Sequence, residues 1–178
     1  VALSIGDVSI DELSSLGEYG VSKVLSTSSI DKVNSKSISS LIAKVCEEHE
    51  FSVLIFPNSY SAKMIAPRLA IKINAALINN VVGLPKSKTP FEVKRKVFSG
   101  KAFETTESKS DRVIITIAQN AFGITKSPTE CEIKNIQNIE IDSSISIIKE
   151  EKSSGKINLS EAEIIVSAGR GLKGPENW

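Results

Sequence analysis

The chain has 178 residues, 40% of them hydrophobic and 24% charged, which is enough for one ordinary core and too little for two large domains. Its formal net charge of +1 at pH 7 leaves no excess of either sign to drive binding to nucleic acid, an anionic membrane or an acidic partner. Aromatic residues are only 5%, which argues against a base-stacking surface, and no apolar run reaches the ~18 residues of a membrane span.

The chain opens on a strand-like run, Val1 to Ile5, and Gly6-Asp7 marks a turn. Asp11-Glu12-Leu13 starts a short helix that ends near Gly17 or Gly20. Val21 to Leu25 reads as a second strand. Ser37 to Glu50 reads as a helix, because Ile38, Leu41, Ile42 and Val45 recur at helical spacing. Phe51 to Phe56 is apolar on both faces, as a central strand of a parallel sheet would be. Pro57-Asn58-Ser59 breaks it, and the following stretch through Ile73 reads as a helix. Pro67 is expected in that helix's first turn or at a kink, since an interior proline costs about 3 kcal/mol. Ala76 to Val82 is a further strand. The alternation of strands and helices, joined by short connections, predicts an α/β domain with a parallel sheet and crossover helices.

After Pro90 the pattern changes. Two alternating runs, beginning at Phe91 and Lys101 and joined by Ser99-Gly100, predict a β-hairpin with one solvent-facing side. Residues 111–118 form another buried strand. The sheet is therefore expected to be mainly parallel, with an antiparallel addition at one edge. Gln119 to Pro128 reads as loop. Residues 130–141 alternate weakly through Ile133, Ile136, Ile139 and Ile141. Residues 147–163 are polar and read as a linker. Glu163 to Gly171 returns to a strand followed by glycines.

Residues for bond chemistry are sparse. The one histidine, His49, sits at the end of a predicted helix, where the helix dipole favours a cation, and reads as a surface cap. Glu47, Glu48 and Glu50 read as a solvated helix end. Cys46 and Cys131 form no C-x-x-C pair and read as small buried side chains rather than a disulfide. No metal site and no catalytic residue is expected. No charged start followed by an apolar signal core is visible, though a processed start would conceal one; the chain reads as soluble and cytoplasmic.

Two segments look like binding sites. Asn58-Ser59 follows a strand end, where α/β folds bind ligands; Ser59 and Ser61 could hold an anion there or simply cap the helix. Gly169, Gly171 and Gly174 fit G-x-G-x-x-G after the apolar run Ile164 to Val166, and Arg170 between them has a fork suited to phosphate. That motif calls for a helix after it and an acidic residue about 20 positions on, which the sequence does not reach.

Taken together, these stretches resemble the alpha subunit of electron transfer flavoprotein, the FixB-like family. The resemblance is carried by LSSLGEYGVSKVL (13–25), by the strand, helix and strand of 53–81 around APRLA, and by the hairpin VKRKVFSGKAFETTES (93–108). DRVIITIAQNAFG (111–123) and EIIVSAGRGLKGPENW (163–178) extend it. Order and spacing agree along nearly the whole chain. Departures are Ser61-Ala62-Lys63 where the family has a glycine with a basic residue, and Gln119 where many members have arginine.

The resemblance implies a Rossmann-like three-layer α/β fold, adenine nucleotide alpha hydrolase-like, with the antiparallel hairpin added to its sheet. It implies an N-terminal domain over residues 1–162 and the truncated start of the flavin-binding domain over 163–178. FAD would belong to the full-length complex, with none bound by this chain alone. The implied flavin contacts are Gly169, Arg170 and Gly171, with Arg170 foremost. The implied partners are the beta subunit and, through the complex, dehydrogenases and a quinone-linked acceptor, with no nucleic acid and no membrane insertion. The implied role is that of an electron carrier subunit without bond chemistry of its own. The alternative is a stand-alone adenine-nucleotide-binding α/β domain, and a ligand-free homo-oligomeric scaffold is a third reading.

Overall fold

In the computed structural model the residues described are 1–30, 34–137, 141–142, 144, 148–149, 159, 162 and 164–177. They fall into two units, Val1–Ser146 and Ile147–Trp178.

The first unit begins with β1 (Ala2–Ile5), α1 (Ile10–Ser15) and β2 (Lys23–Thr27). Ser9 and Glu12 cap α1 reciprocally: the Glu12 N–H donates to Ser9 Oγ at 3.3 Å, and the Ser9 N–H donates to the Glu12 carboxylate at 3.1 Å. The Ser9 hydroxyl, donating to the Glu12 carboxylate at 2.8 Å, and then the Ser9 N–H hold the Glu12 carboxyl below its ordinary range. The helix therefore starts one residue before the expected Asp11. A 3₁₀ turn, Leu16–Tyr19, extends it and stops at Gly20, whose φ of 87° lies in the left-handed region that favours glycine.

Next come α2 (Ser35–His49), β3 (Val53–Pro57), α3 (Tyr60–Lys72) and β4 (Ala76–Val81). Asn34 caps α2 by accepting the Ser37 N–H at 3.0 Å. The remaining strands are β5 (Ser87–Lys88), β6 (Phe91–Val97), β7 (Ala102–Ser108), β8 (Val113–Ile117) and β9 (Glu132–Asn135). The alternation of strand and helix up to β4 matches the sequence reading, and so does the hairpin. Its turn carries Ser99 and Gly100 at φ of 53° and 88°.

The strands form two ladders. β1, β2 and β9 pair in parallel, in that order. The second sheet runs β3-β8-β4-β6-β5, parallel through β4 and antiparallel from β6 on, with β7 paired to β6. The expected antiparallel addition is present at one edge. The weakly alternating run after Glu130 does supply a strand, β9, over four residues.

One principal core binds these elements. Ile38, Leu41, Ile42 and Val45 of α2 and Ile65, Ala66 and Leu69 of α3 pack with Leu25 of β2 and Ile114 of β8. Leu3, Ile5, Leu54 and Phe56 join that core from β1 and β3. Helices α2 and α3 thus cover one face, while α1 lies outside that cluster and packs beside β9. On the reverse of β8, Val113 and Ile115 pack with Ile78, Val81, Phe91 and Val93. The architecture is a Rossmann-like three-layer α/β domain with a mixed sheet.

Three expectations need correction. The run Phe51–Phe56 was expected to be central, but among the described residues β3 lies at the end of its ladder, and it alternates between exposed and half-buried residues. The buried strand is β8, which lies between β3 and β4 and is buried from Val113 to Thr116. An apolar run on both faces marks burial potential and not position in the sheet; Pro57, with no N–H, ends β3.

Of the two places expected for Pro67, the first turn is ruled out: it sits in the interior of α3. It lies on the exposed face, where water can reach the Lys63 carbonyl that its missing N–H leaves unbonded.

Ile164 to Val166 form no strand in the second unit. They are exposed and followed by short 3₁₀ turns at Arg170–Leu172 and Pro175–Asn177. A lone strand has no partner for its backbone groups, and within this unit the described residues offer none. Ile139, most of the polar linker of 147–163, and Trp178 lie outside the described residues.

Candidate functional site

The carboxyl ends of β3, β8 and β4 bring together the side chains best placed to meet a ligand or partner. In open α/β sheets this edge is where ligands bind. The groups there are Asn58 just after β3, Asn79 and Asn80 in β4, and Thr116 in β8.

Thr116 is fully buried in β8, between β3 and β4, so its hydroxyl must be satisfied from within. It accepts the Asn80 N–H at 3.0 Å. Its single proton faces the Asn58 and Asn79 side-chain oxygens at 3.4 and 3.5 Å and can serve one at a time. Asn58 Nδ2 donates to Asn80 Oδ1 at 3.3 Å, and Asn80 Nδ2 donates to the Lys96 carbonyl at 3.2 Å. One network therefore ties β3, β4, β6 and β8.

The backbone explains why two asparagines stand here. The pairing of β4 with β8 shifts register between Ile78 and Val81, so the strand bulges through Asn79-Asn80. Asn80 has φ of 64°, a left-handed conformation that asparagine tolerates better than most residues. The sequence reading missed this site. The doubled asparagine inside an otherwise apolar strand was the available signal.

Of the expected groups beside it, Ser59 is the N-cap of α3 and accepts the Ala62 N–H at 3.2 Å. The capping reading therefore accounts for its hydroxyl. Ser61 is exposed in the first turn.

The other expected residues lie elsewhere. His49 is the last residue of α2, exposed, with its ring 5.6 Å from that of Phe51. Cys46 is buried and free, and burial pushes its thiol up; Cys131 is free and half-buried. Among the described residues no group of three or more His, Cys, Asp or Glu side chains could hold a metal ion. Amides and one hydroxyl can bind and orient, but none of them is an acid or base near neutral pH.

Gly169, Arg170 and Gly171 belong to the second unit. They line a shallow hollow of about 380 Å³. The N–H groups of Leu172 and Lys173 are spent inside the turn, on the Gly169 and Arg170 carbonyls. Arg170 is exposed, and its guanidinium makes no hydrogen bond among the described residues. A side chain added at Gly169 or Gly171 would meet no neighbouring atom within 4 Å, so local crowding does not demand glycine at either. Among the described residues neither a strand before this turn nor an α-helix after it is present.

A family model for the electron transfer flavoprotein domain matches residues 1–144. The chain is 27% identical over 166 residues to the electron transfer flavoprotein subunit alpha of Bacillus subtilis, covering 90% of this chain and 51% of that protein. It is 25% identical over 147 residues to the probable mitochondrial electron transfer flavoprotein subunit alpha of Cryptococcus neoformans, covering 80% and 42%. It is 23% identical over 129 residues to the protein FixB of Escherichia coli, covering 70% and 41%. The chain thus spans about half the length, or less, of these relatives.

Proposed function

The chain belongs to the electron transfer flavoprotein family, and on that premise we propose that it is the N-terminal structural and interaction domain of an alpha subunit. The heterodimer with a beta subunit would carry electrons from dehydrogenases through FAD to a downstream, quinone-linked acceptor. This domain would position the flavin-bearing part and do no bond chemistry itself. FAD supplies the electron chemistry when bound; the protein supplies orientation and local charge.

One observation supports this division of labour most strongly. The family match runs over the α/β unit, whereas the arginine suited to a flavin lies outside the matched residues, in the other unit. Arg170, with Gly169 and Gly171 beside it, would contact FAD in the assembled complex, where residues 163–178 open the flavin-binding domain. An open hollow with one guanidinium fits a single contact and cannot enclose a dinucleotide by itself. The chain alone is therefore expected to hold no FAD.

The test is assembly. Mixed with the electron transfer flavoprotein beta subunit of its own organism, the chain should elute as a one-to-one complex in size-exclusion chromatography with light scattering. Two separate peaks at micromolar concentrations of both proteins would contradict the reading.

A further inference from the structure

Helix α3 is apolar on two opposite sides. Ala62, Ile65, Ala66, Leu69 and Ala70 form its buried side. Helical periodicity puts Tyr60, Met64, Pro67 and Ile71 in one line along the opposite side. All four are exposed, with Tyr60, Met64 and Ile71 at 86%, 51% and 85%. The neighbouring helix α2 is built differently: it exposes Lys36, Ser40, Lys44, Glu47, Glu48 and His49. Solvation of the outward face therefore accounts for α2 and does not account for α3. Single exposed apolar residues are ordinary, but a continuous line of them marks an interaction surface.

The spacing of that line is specific. Steps of four, three and four residues are those of a coiled-coil seam, whose apolar side chains alternate between d and a positions. Tyr60 and Pro67 hold d positions, and Met64 and Ile71 hold a positions. In that frame Lys63 stands at g and Arg68 at e, the places that meet the flanks of a paired helix. Lys72 continues the Arg68 flank one turn on. Lys63 Nζ lies 5.4 Å from the centre of the Tyr60 ring, so this cation is held beside the seam. The helix carries no acidic residue, and among the described residues none of these three cations forms a salt bridge.

We infer that the outward face of α3 docks an amphipathic helix of a second protein, with an apolar a/d seam and Asp or Glu at its e and g positions. From Tyr60 to Ile71 the stripe is about 16 Å long, so the occupant needs about two heptads. Burial of Tyr60, Met64 and Ile71 drives the association, and carboxylates beside Lys63 and Arg68 select the partner. A second copy of this chain is a poor fit, because paired α3 helices would set Lys63 and Arg68 against the same cations. A flat anionic membrane is also a poor fit. Helix α2 packs beside α3 on the same face of the sheet and would bring Glu47 and Glu48 against it. The inference rests on the pattern of α3 and does not depend on the electron-transfer reading.

The probe is a fluorescein-labelled peptide of two repeats of Glu-Leu-Ala-Gln-Leu-Glu-Ala, titrated with the full chain and followed by anisotropy. The expected result is one-to-one binding that Ile71→Asp and Met64→Glu each weaken by about tenfold or more. Both positions are exposed, so neither change should move the melting temperature appreciably. Raising salt from about 50 to about 500 mM should weaken binding as well. The same peptide with lysine for every glutamate should bind only a chain carrying both Lys63→Glu and Arg68→Glu.

No saturable rise would overturn the inference, and so would a rise that Ile71→Asp and Met64→Glu leave unchanged. Equal affinity of the parent chain for the two peptides would remove the charge argument and the stated partner with it. Dimerisation of the chain that Ile71→Asp dissolves would make a second copy the occupant. Co-sedimentation with phosphatidylglycerol vesicles, lost in that variant, would make a lipid surface the occupant. Either of these would also overturn the inference.

Discussion

The Asn80 N–H meets Thr116 Oγ1 at 3.0 Å, and that contact joins a bulged strand to the buried centre of the sheet. Asn80 stands at φ of 64°, so its N–H turns out of the regular ladder and needs a side-chain acceptor. Thr116 supplies it from a fully buried position.

Thr116→Val should therefore destabilise the fold by about 1–3 kcal/mol, because it keeps the shape and leaves the Asn80 N–H without its acceptor. Urea unfolding of the two proteins measures this. An unchanged midpoint would mean that the bulge is held by other groups.

Gly17 comes close to the loop that leads into β9. A methyl group at this position would sit 2.8 Å from the Thr129 carbonyl oxygen and 3.0 Å from Cys131 Cβ. The Thr129 N–H also bonds to the Gly17 carbonyl at 2.9 Å, so backing away breaks a hydrogen bond. Gly17→Ala should cost about 1–3 kcal/mol by overpacking. Gly100→Asn, at a left-handed turn position with nothing near it, should cost far less and serves as the control. Thermal melts of both variants check the contrast.

Asp142 is tied to the start of α2 three ways. Its carboxylate lies 2.8 Å from Lys36 Nζ, its N–H donates to Ser37 Oγ at 2.8 Å, and its carbonyl accepts from Asn34 Nδ2 at 3.0 Å. Hydrogen bonds from Lys36 and Ser144 hold the carboxyl well below the usual aspartate range. A folded-state pKa below the unfolded one stabilises the protein above the unfolded value. That contribution is lost as pH falls through the window down to the folded value. The parent should thus be more stable than Asp142→Asn at pH 7, with the gap narrowing below about pH 4. Urea midpoints at pH 7 and pH 3 test this, and a gap that stays constant would contradict it.

Much of this fold was readable because its signals are local. Helical spacing of Ile38, Leu41, Ile42 and Val45 located α2, and the Ser99-Gly100 turn located the hairpin. Ser59 could be read as a cap because a cap bonds only to its own helix. What failed were statements about neighbours. The run of β3 could not reveal that β8, from much later in the chain, would lie between it and β4 as the buried strand. Ile164 to Val166 looks like a strand, but strand formation depends on a partner that pattern alone cannot supply. The Thr116 network went unread because it joins four strands that are separated in sequence. Gly169, Arg170 and Gly171 were singled out by spacing; among the described residues neither a strand before that turn nor an α-helix after it is present.

The central claim is that this chain serves a flavin complex without holding the flavin itself. The most direct measurement is a titration of FAD with the purified chain, followed by flavin fluorescence anisotropy. The account predicts no saturable rise at micromolar protein. A tight, stoichiometric rise that Arg170→Ala abolishes would contradict it and make the chain a nucleotide-binding domain in its own right.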